Sequence, residues 1–196
     1  MRVGGVVLAA GRSSRMGRPK AMLEIEGETF LERAIAILAT GGCQPVVAVL
    51  APGPDAAGEA EIAAAAGAEA VTNTLPDAEQ IDSLRVGLAA LPPDLVAAVV
   101  LPVDHPLADA GTVRALVAAF ASSGAPVVRP LYGDRPGHPV LFARATWAEL
   151  AEPALERGAR DVVHRHAGEV RDVPLDDRGV TVDVDTPDDY RRVVER

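Results

Sequence analysis

Four stretches free of polar side chains, at positions 3–9, 46–50, 97–101 and 126–128, constrain this chain more than any other feature. A strand with one face in water alternates apolar and polar residues, whereas a strand covered on both faces has no polar face to show. Between these stretches the apolar residues fall at helical spacing. Phe30, Leu31, Ala34, Ile35 and Leu38 share one helical face, as do Ile81, Leu84, Leu88 and Leu91, and then Val113, Leu116, Val117 and Phe120. Strands alternating with helices build a mostly parallel sheet covered on both sides, so the expected fold is a three-layer α/β/α, Rossmann-like architecture. At 196 residues the whole chain fits one domain. The Ala/Gly-rich residues 55–68 read as a helix packed closely on the sheet, and residues 188–196 as a helix following the turn-forming Thr186-Pro187. Residues 130–139, with five prolines and glycines, read as a loop or hairpin reaching over the sheet edge, placed to close over a ligand.

The first apolar stretch empties into Leu8-Ala-Ala-Gly-Arg-Ser-Ser-Arg-Met-Gly-Arg-Pro-Lys20. Gly11 and Gly17 let backbone N–H groups approach an anion, Ser13 and Ser14 add hydroxyl donors, and Arg12, Arg15, Arg18 and Lys20 put four cations within nine residues. That is the chemistry of a polyphosphate cradle. The bland alternative is a solvated basic loop, but surface loops seldom begin directly at the end of a buried strand. Neither the Walker A pattern nor the dinucleotide Gly-x-Gly-x-x-Gly fingerprint is present: five residues separate the two glycines and Arg-Pro-Lys follows. In open parallel sheets ligands collect at the carboxyl ends of strands, where this loop lies and where Asp104 follows the third apolar stretch. A carboxylate beside polyphosphate suits Mg²⁺, which takes one or two carboxylates together with phosphate oxygens and water. Asp104 is the first candidate ligand. Asp185 is the second, with Asp183 two residues away on the same face of an extended segment and equally available on this evidence.

The chain's net charge of -9 argues against nucleic acid or an anionic membrane as bulk partner, and sets the basic loop apart from an acidic background. Tyr132, Trp147 and Tyr190 are scattered rather than interleaved with basic residues, so no base-stacking platform is formed. No apolar segment approaches the roughly 20 residues of a bilayer helix, and the opening residues carry no basic-then-apolar leader, so a cytoplasmic location is expected. Cys43 is the single cysteine, which excludes an intramolecular disulfide and a cysteine zinc site and leaves a buried thiol as its expected role. His164 and His166, two apart in an expected helix, face different ways and do not form a metal pair.

The basic loop resembles the N-terminal signature of a nucleotidyltransferase family, the MobA-like NTP transferases, which includes molybdenum cofactor cytidylyl- and guanylyltransferases. The pattern Leu-Ala-Ala/Gly-Gly-x-Ser-x-Arg-Met-Gly-x-x-Lys is met by Leu8, Ala9, Ala10, Gly11, Ser13, Arg15, Met16, Gly17 and Lys20. Further similarity lies at Asn73, residues 80–87, Pro102-Val-Asp-His-Pro106, Gly137-His-Pro-Val-Leu-Phe142 and Asp183-Val-Asp-Thr-Pro187, so it spans nearly the whole chain. The resemblance implies an Mg²⁺-dependent transfer of a nucleoside monophosphate from an NTP to a phosphorylated small acceptor, with molybdopterin as the leading acceptor and pyrophosphate as the leaving group. It also implies that Leu8, Ala9, Ala10, Gly11, Arg12, Ser13, Ser14, Arg15 and Lys20 embrace the nucleotide. Ala10, Asn73, Gln80 and Ser83 match positions that hold base and ribose, whereas Glu79 stands where many relatives have glycine. In this family Leu-Ala-Ala-Gly tends to accompany cytidine and Leu-Ala-Gly-Gly guanosine, which favours CTP here. A second acidic metal ligand from a distant position, as at Asp185, is also a family habit.

Nucleotidyl transfer asks for positioning and charge neutralisation at the α-phosphorus. A phosphate monoester nucleophile is already ionised near neutral pH, which accounts for a chain without a Ser-His-Asp constellation at a nucleophile elbow. Arg15, Lys20 and Asp104 are the expected catalytic residues: the two cations meet triphosphate and leaving-group charge, and the carboxylate holds the metal. His105 and His138 are candidate contacts to the acceptor, and residues 132–142 and 157–165 the candidate acceptor-facing loops. Rival readings are a transferase acting on a sugar phosphate, methylerythritol phosphate or phospholactate, and a non-catalytic nucleotide-binding regulatory module. Joint presence of Arg15, Lys20, Asp104 and Asp185 argues against the last, which has no need of a metal and leaving-group set.

Overall fold

The computed structural model describes residues 1–11 and 16–195. Strand β1 (Val3–Leu8) is followed by a small β2–β3 hairpin (Glu24–Ile25, Glu28–Thr29), helix α1 (Phe30–Thr40), β4 (Val46–Leu50), α2 (Ala56–Ala65) and β5 (Glu69–Thr72). Next come α3 (Gln80–Ala90), β6 (Ala97–Pro102), α4 (Ala110–Ser123), β7 (Val127–Tyr132), β8 (Arg135–Pro136) and β9 (Val140–Ala143). The chain ends with α5 (Trp147–Leu150), α6 (Ala159–Arg165), β10 (Arg171–Pro174) and α7 (Pro187–Val194).

The main sheet runs β10-β7-β9-β6-β1-β4-β5, with β8 paired to β7. β5, β4, β1 and β6 are parallel to one another, β9 is antiparallel to both β6 and β7, and β10 returns to the parallel sense beside β7. The apolar stretches explain the layering. Along β1, Val3 and Val7 belong to one core and Val6 and Leu8 to the other; Val46, Ala48 and Leu50 likewise alternate with Val47 and Val49, and Ala97, Val99 and Leu101 with Ala98 and Val100. Each central strand is thus buried on both faces, as an unbroken apolar sequence requires. α1, α2 and α4 cover the first face through Phe30, Leu38, Ala63, Val113 and Leu116; α3, α5 and α6 cover the second through Ile81, Leu84, Trp147, Leu150 and Val162. Gly87 lets α3 press on the sheet: a Cβ there would lie 2.5 Å from Val6 and 2.9 Å from Val49.

Residues 130–139 differ from expectation in one respect. A hairpin forms, with Leu131 opposite Pro136 and Tyr132 opposite Arg135 around Gly133 at φ 58°, but it extends an interior strand between β9 and β10 rather than an edge. Pro130 is tolerated there because it acts as an acceptor: its carbonyl receives the Gly137 N–H at 3.1 Å. Cys43 is buried, and burial pushes its thiol up to about 12, in keeping with an inert packing role. Among the described residues, no helix is long and apolar enough to cross a membrane.

Candidate active site

The chain builds β1, β4 and β5 outward on one side, then crosses through α3 to place β6 on the other side of β1. That reversal leaves a crevice over the carboxyl ends of β1 and β6, where Val103 N–H donates to Leu8 carbonyl at 3.0 Å and the strands then part. The crevice measures about 230 Å³ and is lined by Leu8, Ala9, Ala10, Gly11 and Lys20 from the β1 side, Gln80 and Ser83 from α3, and Asp104 and Asp185.

Local structure fixes each charged group. Lys20 opens a single 3-10 turn whose neighbours Ala21 and Leu23 are buried, and Leu23 carbonyl accepts the Phe30 N–H at 2.7 Å. The turn is thereby tied to the start of α1, where Thr29 and Glu32 form a capping box. Asp104 follows β6 directly, and its carbonyl accepts Val184 N–H at 2.9 Å, which brings the distant segment 183–185 alongside. Thr186 caps α7, accepting Asp189 N–H at 3.2 Å and donating its own N–H to Asp189 Oδ2 at 3.0 Å, so Asp185 is held immediately before a fixed helix start. The outcome is that Lys20 Nζ lies 2.5 Å from Asp185 Oδ1 and 3.4 Å from Asp104 Oδ2. Val184 is buried between its neighbours, Asp183 is exposed, and of the two acids it is Asp185 that lines the crevice.

Asp104 Oδ1, His105 Nδ1 and His138 Nδ1 are buried polar atoms without a hydrogen-bond partner among the described residues. They cluster: His105 Nε2 is 3.9 Å from Asp104 Oδ1, and the His105 and His138 rings stand 4.6 Å apart between centroids. Burial holds His105 below its ordinary value, opposed by Asp104, and burial with His105 and Arg160 nearby pushes His138 down to about 3, so His138 is neutral. An orphaned carboxylate oxygen beside a second carboxylate is a donor set that fits a hard divalent cation completing its shell with phosphate and water.

The other expected nucleotide contacts divide. Gln80 and Ser83 line the crevice, whereas Asn73 stands behind it, 2% exposed, donating from Nδ2 to Ser83 Oγ at 3.1 Å and accepting Leu75 N–H at 3.1 Å. Asn73 therefore braces Ser83 from within the protein. Arg12, Ser13, Ser14 and Arg15 lie outside the described residues.

A second cavity of about 900 Å³ adjoins the crevice, sharing Leu8, Glu79, Gln80 and Pro102 as walls. Leu84, Val140, Phe142 and Val163 give it an apolar lining, and His138, Arg129, Arg157 and Arg160 bring polar and cationic groups. Sequence reasoning pointed at the loops around it but not at Arg129 or Arg160, because neither sits in a local pattern distinct from an ordinary surface charge.

Residues 5–170 match the model of the MobA-like NTP transferase domain. The chain is 32% identical over 198 residues to the molybdenum cofactor guanylyltransferase of Xanthomonas euvesicatoria pv. vesicatoria, covering 97% of this chain and 93% of that one. It is 34% identical over 137 residues to the 2-C-methyl-D-erythritol 4-phosphate cytidylyltransferase of Streptomyces avermitilis, covering 66% of this chain and 53% of that relative. Among solved structures, Rv0371c from Mycobacterium tuberculosis H37Rv superposes with a TM-score of 0.86 at 33% identity over 100% of both chains. The same protein in complex with manganese superposes with a TM-score of 0.81 at 31% identity, over 100% of this chain and 99% of that one. Family model, fold and full-length relative agree: the chain belongs to the MobA-like NTP transferase family and is an NTP-dependent nucleotidyltransferase.

Proposed function

We propose that residues 1–196 act as one Mg²⁺-dependent transferase moving a nucleoside monophosphate, CMP in the first instance, from its triphosphate to the phosphate of a small acceptor such as molybdopterin. The observation that carries this reading is the meeting of Lys20, Asp104 and Asp185 in one crevice, with Asp104 Oδ1 buried and without a hydrogen-bond partner among the described residues. An oxygen of the acceptor phosphate attacks the α-phosphorus, a new P–O bond forms, the bridging α–β P–O bond breaks, and its electron pair leaves on pyrophosphate. Mg²⁺, held by Asp104 and Asp185, supplies neutralisation of phosphate oxygen charge when bound. Lys20 Nζ faces the same oxygens and stabilises the charge gathering on the leaving group. Arg15 takes the same work from its place in the basic loop. Gln80 and Ser83 offer amide and hydroxyl groups to base and ribose, and Gly11 its backbone to the phosphates. The phosphate nucleophile arrives ionised, so no residue is required to remove a proton from it.

Ala10, which lines the crevice, supports CTP over GTP, since the family resemblance associates alanine at this position with cytidine and glycine with guanosine. Likeness to both a guanylyltransferase and a cytidylyltransferase keeps GTP as the second reading. The larger cavity, walled in part by His138, receives the acceptor; its apolar lining favours a ring-bearing acceptor over a polyhydroxylated sugar phosphate, the alternative substrate class. Pyrophosphate release measured across the four NTPs, with molybdopterin and with sugar and polyol phosphates, tests the whole reading. Release with CTP and molybdopterin is expected; silence under every condition would leave a nucleotide-binding regulatory module in its place.

A further inference from the structure

A phosphate monoester brought beside a triphosphate needs a cation that is not already spent. Lys20 is engaged by Asp104 and Asp185. Three arginines line the larger cavity. Arg129 is bound by both nitrogens to Asp172, at 2.5 and 3.2 Å, and Arg157 pairs with Asp161 at 2.8 Å. Among the described residues, Arg160 is the one of the three without a carboxylate partner.

Arg160 sits on α6, which is fixed by Val162 buried in the second core, and it lines the same cavity as His138. His138 continues through its ring contact with His105 to Asp104. Its own place is rigid: its N–H donates to Val180 carbonyl at 2.8 Å, and Gly137 before it admits no side chain, a Cβ there falling 2.1 Å from Val180 O. A row of groups thus leads from the carboxylates of the crevice to His138, which shares the larger cavity with Arg160, a guanidinium that pairs with no carboxylate among the described residues.

We infer that Arg160, with His138 on the wall of the same cavity, recognises the anionic phosphate of the acceptor, and that Arg160 determines acceptor affinity without contributing to nucleotide affinity. This rests on the transferase reading of the adjoining crevice. A planar guanidinium presents paired N–H donors to two phosphate oxygens, whereas lysine offers a point charge. The apolar surface formed by Leu84, Val140, Phe142 and Val163 then lies against one face of the molecule, so the ligand class is a phosphate monoester carrying a planar ring.

Phenyl phosphate is the probe. Its binding to the wild-type protein, Arg160→Ala and Arg160→Lys is measured calorimetrically with Mg²⁺ present, and α,β-methylene analogues of CTP and GTP are titrated into the same three proteins. Expected is a loss of roughly tenfold to a hundredfold in phenyl phosphate affinity for Arg160→Ala, an intermediate loss for Arg160→Lys, and unchanged analogue affinity throughout. Equal phenyl phosphate binding by wild type and Arg160→Ala, or none by a wild-type protein that binds a nucleotide analogue, overturns the inference alone. Failure of all three proteins to bind either analogue removes the transferase reading beneath it and the inference with it.

Discussion

The crevice and the larger cavity share a wall yet are built by opposite means. The crevice of about 230 Å³ uses the ends of two parallel strands, the first turns of α3 and one distant aspartate, and Lys20 is met there by two carboxylates. The cavity of about 900 Å³ is assembled from the antiparallel β9, the β7–β8 hairpin and α6, and among the described residues it holds a His138 ring nitrogen without a hydrogen-bond partner and an Arg160 without a carboxylate partner. Strand ends fixed by a doubly covered sheet suit a ligand part that every member of such a family must hold, the triphosphate. Separate elements laid against that frame are free to differ, and they suit the acceptor.

The sharpest way to break this division is Asp104→Ala. Turnover is expected to fall by on the order of 10²–10³ or more, while far-UV circular dichroism and phenyl phosphate binding stay intact; near-normal pyrophosphate release from the folded variant would remove the metal assignment. Gly137→Ala strikes the other side. Its Cβ would sit 2.1 Å from Val180 O, so backbone displacement costs about 1–3 kcal/mol in urea unfolding and raises the KM for acceptor far more than the KM for nucleotide. Equal changes in both would show that the cavities are not separate.

Asn73→Ala comes next: loss of its amide leaves Ser83 without the 3.1 Å donor, which lowers stability by about 1–3 kcal/mol and weakens nucleotide binding through Ser83 alone. The smallest effect near neutral pH is a pH dependence. His138 titrates at about 3 in the fold and near 6.5 in the unfolded chain, so below about 6.5 the unfolded chain takes a proton that the folded ring refuses. Its contribution to stability is complete above that value and is lost as pH falls toward about 3. The thermal midpoint of wild type should therefore fall relative to that of His138→Phe on acidification, and parallel midpoints would contradict the buried neutral ring.

The same division governs how much could be read from the residues. β1, β4 and β6, and the helical faces of α1, α3 and α4, announce themselves because burial on both faces or along one stripe leaves a pattern within a few residues. β5 and β10, at the two sheet edges, carry Glu69 and Arg171-Asp172 and show no such pattern. The start of β7 shows as the apolar stretch 126–128, but its second half and β9 were obscured by Pro130, Pro136 and Pro139, which read as a loop or hairpin because a local view cannot tell that the Pro130 carbonyl, not an N–H, is what the neighbouring chain uses. In the crevice, Lys20 and Asp104 could be placed from motif and strand-end position and Asp185 from the family resemblance, with Asp183 left equally available; of the two acids it is Asp185 that lines the crevice, with Val184 buried between them. Arg160 was not legible. Its distinction is that no carboxylate pairs with it among the described residues, a property of tertiary structure that no spacing in the chain encodes.

A crystal structure of the protein grown with α,β-methylene-CTP and Mg²⁺ tests the central claim most directly. The account predicts triphosphate oxygens at Lys20 with the metal between Asp104 and Asp185, and the larger cavity beside His138 and Arg160 left open. Nucleotide seated in the larger cavity, or a metal that touches neither aspartate, would contradict it.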